Sequence, residues 1–322
     1  MVVKNDSARM DEGPPRIGVY IPQVAATFEQ LLERALRCEE LGYDSFWVYD
    51  HLYAPNLPER DALEGWTLAT ALLARTTRIR VGHLVLNNNF RHPALLAKMA
   101  TTLDVISGGR LDFGIGSGSY EPEHREGGFP WGPLSERSER LEESLEIITR
   151  MFAGGPTTFE GRWYQVQDLA NLPAPVQRPR PPIHIGGVGE RFTLPLVARF
   201  ADVWNVPTYG LGVWPDRVPA LEAACERCGR DPASIRRSLE AVLVVAADEH
   251  ALVEERARAE RRYAGPGWGL AEGGFVGTPP ALVDRIGALM EQGVSLFVFF
   301  LADRGERDML DLLAAEVIPH LR

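Results

Sequence analysis

The sequence predicts an α/β protein built as a (β/α)8 TIM barrel. Eight apolar runs of strand length recur along the 322 residues, and segments with helical periodicity separate them. The runs span residues 16–22, 45–51, 79–87, 110–116, 182–187, 201–207, 239–246 and 295–301. Most are apolar on successive residues, which is typical of parallel strands covered on both faces. An open, doubly wound sheet shows the same alternation and stays an alternative.

The segments between the runs support this alternation of strands and helices. In "HPALLAKMATTLDVISGG" (92–109), a proline stands in the first helical turn and two glycines end the pattern. The positions expected to share one face are Leu95, Met99, Leu103 and Ile106. A second helical stripe, after the fourth strand, consists of Leu141, Leu145, Ile148 and Phe152. Eight such repeats with right-handed crossovers favour a closed barrel.

Two longer segments interrupt the repeat, one after strand four and one after strand seven. Residues 154–182 contain a hairpin-like "TTFEGRWYQV", turning near Gly161, and then a proline-rich stretch that we expect to be extended. Residues 263–280 are rich in glycine and aromatic residues and suggest a mobile surface loop. Because β–α units resume after each insertion, we expect a single domain over residues 16–322. Residues 1–15 read as a disordered lead.

Composition excludes several partners and compartments. The formal net charge is −10 and no run is rich in Lys or Arg, so we expect no nucleic-acid partner. No apolar run approaches the roughly 20 residues that a membrane span requires. Three cysteines and a first segment without an apolar stretch fit a cytoplasmic protein.

The candidate functional residues follow the carboxyl ends of the strands, where (β/α)8 barrels carry their sites. They are Asp50, His51 and Tyr53 after strand two; Asn87, Asn88, Asn89 and Arg91 after strand three; 116–121 after strand four; 186–191 after strand five; and Asn205 and Thr208 after strand six. The set is polar, aromatic and glycine-rich with few carboxylates. This composition indicates a cofactor pocket rather than the acid–base site of a hydrolase.

His51 is the strongest candidate for proton transfer, because histidine titrates near neutral pH. The alternative is that it closes strand two through a backbone hydrogen bond. We expect His184, inside the fifth run, to be a core histidine. The sequence "EPEH" (121–124) is expected to be a solvated loop, and no metal site is predicted because no familiar zinc spacing occurs.

Two glycine-rich stretches follow strands. In "IHIGGVGER" (183–191), glycines let backbone N–H groups approach a phosphate closely at a helix N-terminus, and Arg191 adds a charge. In "FGIGSGS" (113–119), the spacing fits neither a dinucleotide-binding finger nor a nucleophile elbow. The sequence therefore predicts a phosphate site after strand five and leaves the second motif open.

Several stretches together resemble the luciferase-like monooxygenases and oxidoreductases, in particular the branch that uses the deazaflavin coenzyme F420. They are "GYDSFWVYDHLY", "NNNFRHPALLAKMATTLDVISGGRLDFGIGSG", "SERLEESLEIITRMF", "TFEGRWYQV", "PVQRPRPPIHIGG" and "GTPPALVDRIGALMEQGV". They cover most of the chain in the family's order. The family fold is a (β/α)8 barrel, in agreement with the strand count.

The resemblance implies roles for individual residues. His51 matches a histidine near the reactive centre of the deazaflavin ring, with Asp50 beside it as the second catalytic candidate. Leu84–Val85 matches a non-proline cis peptide bond that forms a bulge behind the ring. The remaining implied cofactor contacts are Asn87, Asn89, Ser117 and Gly118 at the ring, and Gly186, Gly187, Val188 and Arg191 at the phosphate. The implied substrate pocket contains Tyr53, Ser119, Tyr120 and Glu121.

The sequence departs from the sugar-phosphate dehydrogenases of this branch at two matched positions. Their glutamate corresponds to Ser119 here and their tryptophan to Pro55. The proton donor and a wall of the ring pocket are therefore missing, which argues against sugar-phosphate oxidation. His51, Tyr120 and Glu121 remain as proton sources.

The resemblance implies an oxidoreductase that transfers a hydride between F420 and a small organic substrate. One alternative is a two-component monooxygenase that uses reduced FMN. A second is a barrel that binds a flavin or deazaflavin without turnover. A separate F420 or flavin reductase would supply the reduced cofactor, and a homodimer is usual in the family.

Overall fold

The computed structural model describes residues 13–263, 270 and 273–322. Its strands are β1 Arg16–Tyr20, β2 Ser45–Val48, β3 Arg80–His83, β4 Leu86–Asn87, β5 Leu111–Gly116, β6 Pro156–Glu160, β7 Gln165–Ala170, β8 Ile183–Gly186, β9 Val203–Val206, β10 Arg236–Val245, β11 Phe275–Gly277 and β12 Val294–Leu301. Its α-helices are α1 Phe28–Leu41, α2 Gly65–Arg75, α3 Pro93–Ser107, α4 Glu121–Gly127, α5 Leu134–Ala153, α6 Thr193–Phe200, α7 Trp214–Cys228, α8 Glu249–Arg262, α9 Pro279–Glu291 and α10 Met309–Glu316.

Eight parallel strands form a closed barrel in the order β1, β2, β3, β5, β8, β9, β10, β12. The ring closes because β12 pairs with β1, with Leu296 opposite Arg16. This pairing confirms the (β/α)8 fold and rules out the open sheet. Each of the eight runs of the sequence analysis contains or overlaps one barrel strand. The short β11 was missed; it pairs with the carboxyl end of β10.

The segment between β5 and β8 holds α4, α5 and a two-stranded hairpin. β6 and β7 pair antiparallel, and the N–H of Gly161 donates to the carbonyl of Tyr164 at 2.9 Å. The predicted hairpin near Gly161 is therefore confirmed. Of the predicted loop at 263–280, residues 264–269, 271 and 272 lie outside the described residues, as do residues 1–12 of the predicted lead. The described remainder of the loop includes β11 and the start of α9.

Contacts between non-adjacent strands identify the residues that face the barrel interior. The ring of Trp47 on β2 meets that of His184 on β8, with centroids 5.0 Å apart. Asp112 on β5 pairs with Arg16 on β1 at 3.3 Å. His184 is fully buried, as expected for a core histidine, and its Nε2 lies 3.5 Å from the Asp112 carboxylate. Since strand side chains alternate between faces, the interior is polar and the outer faces are apolar.

Helix α3 buries a different face from the one that the sequence predicted. Leu95 and Ile106 are more than half exposed, although Leu103 is buried as expected. The buried face consists of Leu96, Ala97, Ala100, Leu103, Asp104 and Ser107. Its small side chains allow close packing against the neighbouring helices, whereas apolar spacing alone does not distinguish two faces that both carry apolar residues. The stripe predicted on α5 is buried as expected.

No α-helix within residues 13–263 and 273–322 is both long and apolar enough to cross a membrane.

Candidate active site

The end of β2 is fixed by an ion pair between Asp50 and Arg91. The buried Asp50 carboxylate accepts two bonds from the Arg91 guanidinium, at 2.7 and 2.9 Å, and one from the N–H of Asn87 at 2.8 Å. Arg91 also reaches Glu64 at 2.5 Å. Because its oxygens are already bonded, Asp50 positions β4 relative to β2. Its predicted catalytic role stays a prediction.

His51 is bound through its ring to a buried carboxylate. Nδ1 lies 2.9 Å from Oε1 of Glu123, a fully buried side chain whose other oxygen accepts from the N–H of Leu52 at 3.1 Å. An ionised carboxylate only accepts hydrogen bonds, so we assign the proton to Nδ1. Nε2 has no protein partner in the part of the chain that is described. The ring therefore bonds a carboxylate rather than a backbone group.

Glu123 belongs to a short helix where the sequence analysis expected a solvated loop, and that expectation was wrong. Helix α4 buries Glu123 and His124 together. His124 accepts a bond from the Asn87 amide at 3.0 Å and donates from Nδ1 to the carbonyl of Tyr120 at 2.8 Å. Burial lowers the pKa of His124, which agrees with a neutral ring. Pro122 in the first turn, with glycines at 127 and 128, was the available signal for this helix.

The glycines of the "GIGSG" motif make room for the segment from β3 to β4. The pairs in contact are Gly114 with His83, Gly116 with Val85, and Gly118 with Asn87. A methyl group at Gly114 would overlap the carbonyl oxygen of His83, and one at Gly116 would lie 2.8 Å from the Val85 side chain. Gly118 also has a φ of +83°, which favours glycine. The motif thus accommodates the neighbouring strand.

Val85 connects the two halves of the site. The Leu84–Val85 peptide bond is cis, as the resemblance implied. A Cβ placed on Gly114 or on Gly186 would lie 3.5 Å from Cγ1 of Val85, so this side chain lies between β5 and β8. Leu84, Val85 and the glycines at 114, 116 and 186 form what we call the floor of the site. The N–H of Leu84 ties this floor to the end of β2 by donating to the carbonyl of Val48 at 3.0 Å. The contact of Leu84 and Val85 with a ring remains a prediction.

The predicted phosphate loop wraps the start of α6. Gly187 has a φ of +123°, its N–H donates to the carbonyl of Asn205 at 2.9 Å, and its carbonyl accepts from the Trp204 indole at 2.8 Å. Helix α6 begins at Thr193, two residues after the expected position near Arg191. Arg191 is exposed and lies over the Phe192 ring. The N–H and the carbonyl of Gly187 are thus both bonded within the protein, and the phosphate role of Gly186, Gly187 and Val188 stays a prediction.

The residues predicted for the substrate pocket divide into two groups. Tyr53 and Tyr120 lie beside one another, with ring centroids 6.2 Å apart, and Tyr120 is 6.3 Å from the ring of His51. The Tyr53 hydroxyl donates to Glu126 at 2.6 Å. Glu121 instead pairs with Arg125 on the same helix at 2.5 Å, and Ser119 is exposed. Only the tyrosines therefore adjoin His51.

Three residues offer polar atoms that a ligand could satisfy. The Tyr49 hydroxyl, both amide atoms of Asn88 and Oδ1 of Asn89 are buried and without a hydrogen-bond partner in the described chain. The Nδ2 of Asn89 donates to the carbonyl of Ser117 at 3.1 Å, which ties this group to the end of β5. Buried polar atoms are normally paired, so unpaired ones beside a glycine-lined floor fit a polar heterocycle.

A further acid, Glu240 on β10, was missed because it lies within a run that reads as a buried strand. Only 5% of its surface is exposed, and burial raises the pKa of its carboxyl to about 7. Glu240 lies two residues after Ser238, whose hydroxyl donates to Oδ1 of Asn205 on β9 at 3.0 Å. No sequence motif marked this residue.

The chain is similar to proteins of known type. The luciferase-like monooxygenase family model matches residues 8–274. An F420-dependent glucose-6-phosphate dehydrogenase from Amycolatopsis mediterranei is 32% identical over 237 residues, which are 70% of this chain and 67% of that protein. A solved F420-dependent secondary alcohol dehydrogenase, in complex with an F420–acetone adduct, matches with a TM-score of 0.78 at 19% identity, over 96% of this chain and all of that one.

The fold is shared equally with an FMN-bound protein. The oxygenating constituent of 3,6-diketocamphane monooxygenase from Pseudomonas putida, in complex with FMN, has a TM-score of 0.78 at 19% identity, over 96% of this chain and 99% of that one. The likeness to solved structures therefore establishes the barrel without selecting the cofactor. From the match over residues 8–274 and the 32% identical relative, we conclude that this chain belongs to the luciferase-like monooxygenase family.

Proposed function

We propose that the protein is an F420-dependent oxidoreductase that transfers a hydride between the deazaflavin and a small organic substrate. The observation that carries the reaction type is the His51–Glu123 pair, in which Nδ1 is bonded to a buried carboxylate and Nε2 has no partner among the described residues. The choice of F420 is supported by the relative named as F420-dependent at 32% identity. The unpaired polar atoms of Tyr49, Asn88 and Asn89 would meet the edges of the ring.

Bound F420 would supply or accept the hydride, while the chain's own residues orient the reactants and manage the proton. Glu123 holds the proton on Nδ1 of His51, so Nε2 is the atom that exchanges a proton with the substrate. Glu123 also fixes the orientation of the ring through a second bond to the backbone of Leu52. Asp50 and Arg91 hold β2 against β4, which keeps His51 and the floor in register.

The substrate class that we propose is a small alcohol or carbonyl compound. An alcohol and a carbonyl compound are interconverted when a hydride is exchanged at carbon and a proton at oxygen. One histidine suffices to exchange that proton. Tyr53 and Tyr120 would form an aromatic wall beside the reacting carbon. Sugar phosphates fit less well because Ser119 and Pro55 stand where their dehydrogenases carry a glutamate and a tryptophan.

An anaerobic turnover assay tests this proposal. The protein is mixed with reduced F420 and a panel of small aldehydes and ketones, and oxidation of the cofactor is followed by absorbance. We expect oxidation that requires both the protein and an acceptor and that continues without oxygen. Inactivity toward reduced F420 with every acceptor of the panel would contradict it.

A second candidate is an FMN-dependent monooxygenase, which the equal structural likeness to the FMN complex favours. A reduced flavin reacts readily with oxygen, whereas a reduced deazaflavin reacts poorly. Because reduced FMN also consumes oxygen without protein, the discriminating measurement is an oxygenated product that forms only when protein, substrate and reduced cofactor are all present. A monooxygenase should form this product with reduced FMN, and an F420-dependent oxidoreductase should not. In either case we propose that a separate reductase regenerates the reduced cofactor and that the enzyme works in the cytoplasm.

We propose further that the protein forms a homodimer through the exposed face of α3. Leu95 and Ile106 are 56% and 53% exposed, and the segment after β7 adds exposed Leu172 and Val176 beside this helix. Apolar surface of this kind marks protein interfaces. Light scattering should show a dimer that Ile106→Glu weakens, while Val253→Glu, at a more exposed position on α8, leaves it intact. A monomeric wild-type protein would contradict the proposal.

A further inference from the structure

Glu240 differs from the other buried carboxylates of the barrel mouth in how few partners it has. Asp50 binds a guanidinium and a backbone N–H, and Glu123 binds His51 and a backbone N–H. No backbone N–H of the described residues donates to the Glu240 carboxylate, and the amide of Asn205 is a neutral neighbour. In the described chain no Lys, Arg or His forms an ion pair with it. An ionised carboxylate without a charge partner is strongly disfavoured when buried, so this acid is held in its neutral form.

The residues around Glu240 keep it neutral without supplying an alternative proton. Tyr20 on β1 and Tyr209 after β9 are the titratable groups that interact with it; burial raises the pKa of the Tyr20 hydroxyl, whereas Tyr209 is more than half exposed. On β12 the residue opposite Glu240 is Val298, and the carbonyl of Glu240 itself accepts from Thr208. A buried apolar side chain at this position would fill the same space without the free-energy cost of removing a carboxyl from water. The carboxyl therefore calls for an explanation beyond packing.

Asn205 links Glu240 to the floor of the site. Oδ1 of Asn205 accepts from Ser238, which directs the amide nitrogen away from that hydroxyl. A Cβ on Gly186 would lie 3.7 Å from this nitrogen and 3.5 Å from the Val85 side chain. Glu240 is two residues after Ser238 and therefore faces the same side of β10, while Val85, Gly186 and Asn205 belong to the neighbouring segments of the barrel. His51 belongs to the opposite side of the barrel mouth, on β2.

We propose that Glu240 is a second acid of the site, which donates a hydrogen bond from its neutral carboxyl to an acceptor atom of the ring bound on this floor. Deazaflavin and flavin rings both carry carbonyl and ring-nitrogen acceptors, so the assignment rests on the proposed function but not on the choice between the two cofactors. His51 exchanges a proton with the substrate, and Glu240 donates a hydrogen bond to the ring.

Equilibrium binding of oxidised F420, measured by fluorescence from pH 6 to pH 9, tests the proposal on the wild type and on Glu240→Gln. Since only the neutral carboxyl donates, the wild-type Kd should rise by up to about tenfold per pH unit once Glu240 ionises. Glutamine donates at every pH and should remove this rise, so it binds more tightly than wild type at pH 9. Titration of the ligand itself is common to both proteins and cancels in their ratio.

Two additional variants and a spectroscopic readout distinguish the possible failures. Asp303→Asn, which alters another buried acid whose pKa burial raises, should keep the wild-type pH profile. Glu240→Leu, which has no donor, should weaken binding at pH 6 and should not show the rise in Kd toward pH 9. In the free protein, infrared spectra should show a protonated carboxyl band at pH 6 that Glu240→Gln removes.

Each outcome decides the proposal. Identical pH profiles for wild type and Glu240→Gln, or no band lost in that variant, would overturn the role of Glu240 while leaving the proposed function standing. A wild-type protein that binds neither F420 nor FMN would overturn both. A wild-type rise in Kd that the glutamine variant abolishes supports the second acid.

Discussion

The two sides of the barrel mouth treat buried charge in opposite ways. On the side of β2, β4 and α4, the carboxylates of Asp50 and Glu123 have strong donors, a guanidinium in one case and a histidine in the other. On the side of β9 and β10, the Glu240 carboxyl has no charged partner among the described residues, and its neighbour is the neutral amide of Asn205. On the first side, the bonds of Asp50 and Glu123 fix the positions of the segments that they join. On the second side, the Glu240 carboxyl stays protonated, because a buried acid without a charged partner is more stable in its neutral form.

Removing His51 should have the largest effect on activity. General acid–base catalysis by a positioned side chain contributes roughly 10²- to 10⁴-fold, so His51→Ala should lower kcat by about that factor and change cofactor affinity little. Glu123→Gln should cost less, since an amide oxygen still accepts from Nδ1. Steady-state kinetics with reduced F420 measure both variants. An unchanged kcat in His51→Ala would remove the histidine from the mechanism.

Breaking the pair between Asp50 and Arg91 should have the largest effect on stability. Arg91→Ala leaves the buried carboxylate without its charge partner, which should lower the free energy of unfolding by about 3–5 kcal/mol. Arg256→Ala breaks an exposed pair with Glu260 on α8 and should cost less than about 1 kcal/mol. Urea denaturation at neutral pH measures both. Equal decreases in the free energy of unfolding in the two variants would mean that burial does not determine how much these ion pairs stabilise the fold.

Glu240 should make the folded state less stable as the pH rises. Burial raises its pKa to about 7 when folded, whereas an unfolded glutamate titrates near about 4.3, so between these values the folded state holds a proton that the unfolded state has released. The free energy of unfolding should therefore fall by about 3–4 kcal/mol from pH 4 to pH 7 on account of this group, and no further above. The difference between wild type and Glu240→Gln isolates the term. A constant difference across this range would place the folded pKa near the ordinary value.

The smallest of these effects concerns the floor of the site. Gly116→Ala would place a methyl group 2.8 Å from the Val85 side chain and should destabilise the fold by about 1–3 kcal/mol. Gly287→Ala, in the open interior of α9, should instead stabilise by about 0.5–1 kcal/mol. Thermal unfolding measures both. A tolerated Gly116→Ala would show that Val85 can move away from β5.

Sequence patterns predicted the barrel because each parallel strand buries both faces and each helix carries an apolar stripe. They were weaker wherever a feature depends on contacts between distant segments. The two apolar faces of α3 are indistinguishable without knowing which neighbours pack closely, and Leu95 and Ile106 proved to be exposed. The glycines at 114, 116 and 118 showed a requirement for space, but the strand that fills it is thirty-one residues away along the chain.

The candidate site shows the same limit. His51 was recognisable from its place after a strand, whereas Glu123 became significant only once α4 placed it against the histidine ring. Glu240 reads as one polar residue in an apolar run. Whether Glu240 has a charged partner depends on residues of β1, β9 and β12, which are distant in sequence and cannot be identified from the pattern around residue 240.

A titration of the purified protein with oxidised F420 and with FMN tests the central claim most directly. We expect saturable binding of F420 at one site per chain, with an affinity at least about tenfold higher than that for FMN. Binding of FMN in preference to F420, or binding of neither, would contradict it.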